Sequence, residues 1–428
     1  MTLPPILLLI NDALLEQGAT ALLVGGCVRD HFLQIPIKDY DIEVYGLPDL
    51  ESLEEVLRRF GKVKQVGKSF GILKFVDAGK EYDFAFPRLE RKVGRGHRGF
   101  DVTIDGGLDF KTAAKRRDFT INAMGYEITT HRFLDPFGGK RDLDAKLLRH
   151  IDDTTFVEDP LRVWRGVQFL ARFGLHMAKE TQRLCYRMVY EGMLEELPKE
   201  RVFDEVKKLL LRADRPSAGL ALCREITLLR AYAPLWTLSQ EAWLVTLRRV
   251  DLMAAERDRE CSAPLILMLA ALTLTCGEAG SRETVALLSD EERLLKEVPK
   301  LVAHAPMIET IYRESRIDAT AAETMLRLLA TKVKIPDAVA VAKADFQARY
   351  AEMERFEAGE WALRRAGALG VLEGPLPPLL QGRDLMHHFK LQPSPKFKEI
   401  LERVYQMQIE GKISSREEAL HFVEKEFL

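Results

Sequence analysis

Apolar periodicity changes character once along this chain, and that change limits the folds open to it. Residues 1–150 mix helix and strand signals: helices over 5–17, 28–33, 50–60 and 109–116, strands over 20–24, 39–45, 72–76, 81–86 and 121–128. From Glu158 onward strand signals almost vanish. Apolar residues then recur at three- and four-residue spacing over 160–173, 177–193, 200–212, 216–224 and 239–256, and helices are expected to continue through 262–275, 289–303, 319–332 and 336–366. The proline-rich stretch 374–381 introduces a last unit, with a helix over 396–410 and a final helix whose start carries the capping box Ser415-x-x-Glu418. The pattern predicts an α+β protein: a head with a small mixed β-sheet backed by helices, then an elongated all-α remainder.

With 428 residues the chain is long enough for several compact units. Its 47% apolar and 30% charged residues describe a well-cored globular protein. The apolar run 263–274 is too short to span a bilayer and reads as a buried helix. The N-terminus lacks the basic region and small-residue cleavage site of a signal peptide. Cys27, Cys185, Cys223, Cys261 and Cys276 are scattered and form no CxxC pair, which argues against a zinc site or disulfide framework and for a reducing cytoplasm. A formal charge of −2 does not advertise a nucleic-acid binder, but local patches can still be basic. Residues 88–98 set Arg88, Arg91, Lys92, Arg95 and Arg98 against Glu90 alone.

The chemistry begins in residues 21–46, ALLVGGCVRDHFLQIPIKDYDIEVYG. The side-chain period of two places Asp39 and Asp41 on one strand face, roughly 6–7 Å apart. Such a pair suits two Mg²⁺ ions that activate a hydroxyl and hold a nucleotide's phosphates. Gly25-Gly26 lets the backbone approach a phosphate, and the helix that follows offers free N–H groups to an anion. Together they read as nucleotidyl transfer. In Tyr82–Phe86, Asp83 faces away from Tyr82, Phe84 and Phe86, which makes it a candidate third carboxylate. Glu43, on the face that bears Asp39 and Asp41, is its rival. Arg116 and Arg117 suit phosphate, and Asp118 and Asn122 suit ribose hydroxyls.

At Glu158-Asp159-Pro160-Leu161-Arg162, Pro160 fits the first turn of a helix and Asp159 its cap. Asp159 and Arg162, three apart, lie side by side, so the segment reads either as a cap with a local ion pair or as a base reader. Cytosine and adenine both present an exocyclic amine beside a ring-nitrogen acceptor. A carboxylate with a guanidinium matches that edge and opposes uracil and guanine without any template.

VGGxVRD…KDxDIEVYG, RRDFTINA, DPFGGKRDL, EDPLR and LPKERVFDEVKKLL follow in one order over about residues 20–210. The set resembles the nucleotidyltransferase family that includes bacterial tRNA nucleotidyltransferases (CCA-adding enzymes) and their poly(A) polymerase relatives. GRDLMHHF and QIEGKISSREEAL are weakly similar to that family's tail. The resemblance implies a catalytic head over 1–150, a base-recognising neck over 151–215, and a tRNA-binding body (216–370) and tail (371–428). Asp39, Asp41 and Asp83 would be catalytic, with two Mg²⁺ on Asp39 and Asp41. Gly25, Gly26, Arg29, Arg117, Asp118, Asn122, Asp159, Arg162 and Arg165 would bind the nucleotide. DPFGGKRDL would be a hinge-like link from head to neck, and LPKERVFDEVKKLL a helix bracing the neck. Arg88 and Glu90 would anchor a flexible, glycine-bearing loop running to Arg116.

The expected partners are tRNA, CTP and ATP, in the cytoplasm and without a membrane; the sequence leaves the oligomeric state open. Lys68-Ser69-Phe70 stands where poly(A) polymerases of this class carry consecutive basic residues before Phe, which favours tRNA. The loop favours addition of the terminal A. An A-only or CC-only enzyme, a poly(A) polymerase and a noncatalytic RNA-binding protein are the alternatives.

Overall fold

Proline and glycine punctuate the first elements. In the computed structural model, which describes residues 1–66, 71–92, 100–104, 107–257, 264–350 and 355–428, Pro5 sits in the first turn of α1 (Pro5–Glu16), where its missing N–H costs nothing. Leu7, Ile10 and Leu14 bury one face of that helix. Next come β1 (Thr20–Val24), α2 (Gly26–Phe32), β2 (Asp39–Tyr45) and α3 (Leu50–Arg58), the last capped by Asp49, whose carboxylate accepts the Ser52 N–H at 2.8 Å. Then follow β3 (Val63–Val66), β4 (Ile72–Asp77), β5 (Lys80–Ala85), β6 (Arg88–Lys92), β7 (Phe100–Ile104), α4 (Phe110–Lys115), β8 (Gly125–Glu127) and β9 (Phe133–Leu134).

Seven of these strands form one sheet in the order β3-β4-β5-β2-β1-β8-β9. The sheet is mixed: β2 runs parallel to β5, and its other pairings are antiparallel. The alternation in β2 and β5 buries Tyr40, Ile42, Tyr82 and Phe84, with Tyr40 stacked on Tyr82 at 5.2 Å. The acids between them are left on the other face.

The head departs from the sequence expectations at several points. The short strand β3 was not expected. The expected loop between Arg88 and Arg116 contains an antiparallel ribbon, β6 with β7, in which Glu90 pairs with Val102. Gly94, Gly96 and Gly99 lie outside the described residues, as do Lys68-Ser69-Phe70. The strand expected over 121–128 begins instead as a 3₁₀ turn, Thr120–Asn122, and is extended only over β8.

The chain divides into two compact units, Met1–Leu228 and Leu229–Leu428. The first continues with α5 (Gly139–Asp144), β10 (Leu147–Leu148), α6 (Asp153–Glu158), α7 (Leu161–Phe173), β11 (His176–Met177), α8 (Lys179–Tyr190), α9 (Lys199–Arg212) and α10 (Pro216–Glu225). Within DPFGGKRDL, the Asp135 carboxylate accepts the N–H groups of Gly139 and Lys140 at 2.6 and 3.0 Å, which caps α5. Gly219 lets α10 approach α7: a Cβ there would stand 2.9 Å from the Val167 carbonyl oxygen.

The second unit is helical among its described residues: α11 (Ala233–Trp236), α12 (Gln240–Glu256), α13 (Pro264–Thr273), α14 (Gly277–Leu288), α15 (Glu292–His304), α16 (Met307–Ser315), α17 (Ala319–Ala330), α18 (Ile335–Arg349), α19 (Glu357–Ala368), α20 (Gly382–Phe389), α21 (Pro395–Ile409) and α22 (Arg416–Phe427). The single helix expected over 336–366 is two, α18 and α19. The apolar run is the buried core helix α13; a 3₁₀ turn, Leu274–Cys276, divides it from α14, which begins at Gly277 (φ +69°). Arg249, 1% exposed, ties this unit together by donating to the Ala271 carbonyl at 2.7 Å and pairing with Asp345 at 2.5 Å. The last three helices close their own small core of Leu385, Ile400, Val404, Ala419 and Val423. The capping box forms as expected, with Ser415 and Glu418 each bonding the other's backbone N–H.

Candidate active site

The parallel pairing of β2 with β5 sets Asp41 directly beside Asp83, and Asp39 beside Glu81. All four acids line one cleft of about 820 Å³ within the first unit. Asp83 therefore joins the Asp39/Asp41 pair. Glu43 does not line the cleft: it is 3% exposed and turned to Arg117 Nη2 (2.8 Å) and Arg116 Nη2 (3.3 Å), and the Tyr45 hydroxyl donates to it at 2.9 Å. Burial opposes the charge on Glu43, but the two guanidiniums and the hydroxyl hold its carboxyl below the usual range.

Asp41 and Asp83 are shifted the other way. Burial raises both, and neighbouring carboxylates add to it: Asp83, Asp39 and Glu43 around Asp41, Glu81 and Asp39 around Asp83. Asp41 is exposed to solvent through the cleft. Asp83 Oδ1 is buried and accepts no hydrogen bond; Lys74 Nζ stands 3.7 Å away and prefers Glu81, at 2.6 Å. A cluster of carboxylates crowded by its own charge, with an unsatisfied buried oxygen, fits a divalent cation. Behind it, the Cys27 thiol donates to the Val24 carbonyl at 3.2 Å, and burial and Asp41 push it up to about 12, so it is structural.

Gly25 makes the turn into α2 at φ +72°, a conformation that disfavours side chains, and a Cβ there would lie 2.5 Å from Arg117 Nη1. Gly26 and Arg117 line the cleft, while the Gly25 N–H is taken by the Met124 carbonyl at 3.1 Å. Arg29 is 6% exposed. It donates to Asp30 Oδ1 through Nε and Nη2 (2.9 and 2.7 Å) and to Asn122 Oδ1 through Nη1 (2.6 Å). Asn122 passes the connection on, donating to Asp118 Oδ1 at 2.9 Å, and Arg165 Nε donates to Asp118 Oδ2 at 2.7 Å. Burial opposes the charge on Asp118, but Arg165 and Asn122 hold its carboxyl below the usual range. The same side chains that line the cleft are thus bonded to one another in a continuous chain.

Asp159 follows the end of α6 and precedes Pro160, the N-cap of α7; its carboxylate accepts the Leu161 N–H at 3.2 Å. Arg162 makes no ion pair with it. Its Nη1 and Nη2 donate instead to the carbonyls of Thr155 and Arg116, both at 2.6 Å, which fixes the guanidinium plane at the cleft wall. Asp159 and Arg162 line the cleft together.

Every nucleotide-binding residue expected from the sequence except Gly25 borders this cleft, and Arg88 does so as well. The side chain of Glu90 lies outside the described residues. Sequence reasoning missed Lys74, Phe169, Arg172, Arg201, Lys208 and Arg212, which also line it. The signal was helical spacing: Arg162, Arg165, Phe169 and Arg172 form one stripe of α7, and Arg201, Lys208 and Arg212 one stripe of α9.

Residues 21–149 match the family described as "Poly A polymerase head domain", and residues 174–237 the one described as "Probable RNA and SrmB- binding site of polymerase A". Residues 377–423 match the one described as "tRNA nucleotidyltransferase domain 2 putative". Among curated proteins, the chain is 42% identical over 201 residues to the "Multifunctional CCA protein" of Stenotrophomonas maltophilia, covering 46% of this chain and 47% of that one. It is 38% identical over 224 residues to its namesake from Laribacter hongkongensis, covering 51% and 53%. The chain spans about half the length of these curated relatives. Among solved structures, the Bacillus stearothermophilus CCA-adding enzyme in complex with CTP superposes with TM-score 0.71 at 23% identity, covering 99% of this chain and 98% of that one. The Thermotoga maritima CCA-adding enzyme complexed with tRNA superposes with TM-score 0.67 at 22% identity, covering 100% and 97%. These likenesses establish the fold.

Proposed function

We propose that this chain is a member of the tRNA nucleotidyltransferase and poly(A) polymerase family and adds the 3′-terminal CCA to tRNA from CTP and ATP without a template, releasing pyrophosphate. The observation that carries the reading is the single cleft holding both the Asp39/Asp41/Asp83 cluster and the Asp159/Arg162 pair. One end suits phosphoryl chemistry and the other a nucleobase.

Divalent cations serve nucleotidyltransferases of this family. We assign two Mg²⁺ here, held by Asp39 and Asp41 with Asp83 as the third carboxylate; bound there, they supply positive charge to the phosphates and to the attacking 3′-hydroxyl. The chain's own groups do the rest. Gly26 and Arg117 border the triphosphate. Asp159 accepts from the exocyclic amine of C or A while Arg162 donates to the ring nitrogen beside it, so U and G meet like against like. Because the plane of Arg162 is fixed by two backbone carbonyls, the discrimination is built in before the nucleotide arrives. Arg165, Asp118, Asn122 and Arg29 keep that wall in place and offer polar atoms to the ribose.

The ribbon of β6 and β7, with Arg88 at its base on the cleft, is the element we assign to readjusting the pocket from C to the larger A. DPFGGKRDL is assigned as the hinge-like link to a neck over 151–215, which α9 braces, and 216–370 and 371–428 as body and tail holding tRNA in the cytoplasm. Incubation with Mg²⁺, labelled nucleotides and tRNAs lacking CCA, lacking only the terminal A, or complete tests the proposal. CCA completion with arrest is expected. Long A tails would make it a poly(A) polymerase, and A added only to tRNA ending in CC would make it a specialist. No incorporation at all would refute catalysis.

A further inference from the structure

The cations of α7 and α9 extend beyond what one nucleotide needs. The two helices run side by side in the same direction: Arg201 stands 3.9 Å from Asp159 at one end, and Arg172 faces Arg212 and Arg29 at the other. Between Arg201 and Arg212, with a rise of about 1.5 Å per residue, the α9 stripe covers roughly 16 Å. That is longer than three linked phosphates, and the base-reading pair already occupies its Arg201 end.

At the far end the charges are less well matched. Neither Arg172 nor Arg212 has a carboxylate within ion-pair distance among the described residues. Arg172 donates to Gln168 Oε1 at 3.1 Å and lies 5.0 Å from the centre of the Phe173 ring, which Arg29 also covers at 4.4 Å. Lys208 is different, since it neutralises the buried Glu205 at 2.7 Å. Burial and the like charges of Arg29 and Arg212 lower the Arg172 guanidinium from its ordinary value, and the more weakly felt carboxylates of Asp30 and Glu205 do not offset them.

We propose that Arg172 and Arg212 form a phosphate subsite that takes backbone phosphates of the RNA 3′ strand, separate from the triphosphate position beside the carboxylates. The inference rests on the nucleotidyltransferase reading above. The length of the cationic wall favours a sugar–phosphate backbone over the nucleotide's own tail, because a positively charged groove that outruns one nucleotide is what tracks a single strand. The rival is local: both arginines sit in the last turn of their helices, where any cation is favourable.

The test uses the full chain carrying Arg172→Gln, Arg212→Gln or both. Lys208 is left alone so that Glu205 keeps its partner. Affinity for tRNA lacking CCA is measured against salt, alongside the KM for CTP and the thermal midpoint. Each substitution should raise the RNA Kd roughly three- to tenfold and reduce the slope of log K against log salt by about 0.7. The KM for CTP should stay near wild type. A raised CTP KM with unchanged RNA affinity would assign the subsite to the nucleotide and overturn the RNA assignment. A lowered midpoint with neither binding constant moved would leave only the helix-end role and overturn the subsite. Should wild type bind and extend no tRNA, the functional reading fails first, which the wild-type arm shows separately.

Discussion

Asp41, which solvent reaches, and Asp118, which is buried, are carboxylates bordering the same cleft, and their surroundings push them in opposite directions. Desolvation raises Asp41, and Asp83, Asp39 and Glu43 add to it against the pull of Arg117; Asp118 sits between Arg165 and Asn122, which outweigh its burial and lower it. Asp118 has a donor on each oxygen, whereas the carboxylate next to Asp41 keeps a buried oxygen without one. The sheet end of the site is left incomplete and receptive to a cation. The helical end is complete and rigid. A charged group earns a chemical role where its folding partners are withheld, and a positional role where they are supplied.

The sharpest way to break this contrast is Asp41→Ala or Asp39→Ala. Loss of C and A incorporation by a thousandfold or more is expected, because metal charge stabilisation is worth several kcal/mol (roughly tenfold per 1.4 kcal/mol). Transfer assays with unchanged tRNA binding check it, and near-normal turnover would remove the carboxylate cluster from the mechanism. Next in size, Asp118→Ala leaves the buried Asn122 and the partly exposed Arg165 without their acceptor and should cost about 1–3 kcal/mol in denaturant unfolding. Asp41→Asn, by contrast, should leave stability equal or higher. If both variants unfolded alike, the division into receptive and rigid ends would be wrong.

A smaller effect is expected for Arg162→Ala, which should relax selection against UTP and GTP about tenfold, the worth of one charged hydrogen bond. Equal slowing of all four nucleotides would make Arg162 a brace for the Thr155 and Arg116 carbonyls and nothing more. Smallest is the pH dependence. Asp118, held below its ordinary 3.8, contributes stability that is present above that value and lost as pH falls through its lower folded pKa. Asp41, held above 3.8, binds its proton more tightly when folded, so its contribution is present at low pH and lost as pH rises through the raised value. Stability–pH curves of wild type against Asp118→Asn and Asp41→Asn should therefore diverge at opposite ends of the acid range.

The strand β2 was legible to the residue because DYDIEVY alternates without interruption, and the same alternation put Asp83 on the right face of β5. The alternation could not show that β2 and β5 are parallel neighbours. That pairing crosses a helix and two strands, and it is what sets Asp83 beside Asp41 at the cleft. The short strand β3, VKQV, offers too few apolar positions to register. The ribbon β6–β7 was read as a loop because RLERK is charged and glycines follow it. At 121–128, Asn122 is drawn into the hydrogen-bond chain between Arg29 and Asp118, and the backbone turns there instead of extending. The local ion pair allowed for Asp159 and Arg162 does not form, because backbone carbonyls from two other segments capture the guanidinium. Arg172 and Arg212 were invisible for another reason: isolated cations on amphipathic helices resemble any solvated face until two helices are laid together.

The chain Asp30–Arg29–Asn122–Asp118–Arg165 also constrains how such a protein can change. Four of its links are within 2.9 Å, and three of its members are at most 6% exposed. Replacing one member alone leaves a neighbour buried without its partner, so the first step toward a different arrangement is costly whichever position it starts from. The costs should be strongly non-additive: a second change beside the first ought to do less harm than it does by itself. Those positions would then be inherited as a block. Variation would collect around them, and a new nucleotide preference would be easier to reach through the loops bordering the cleft than through the residues that line it.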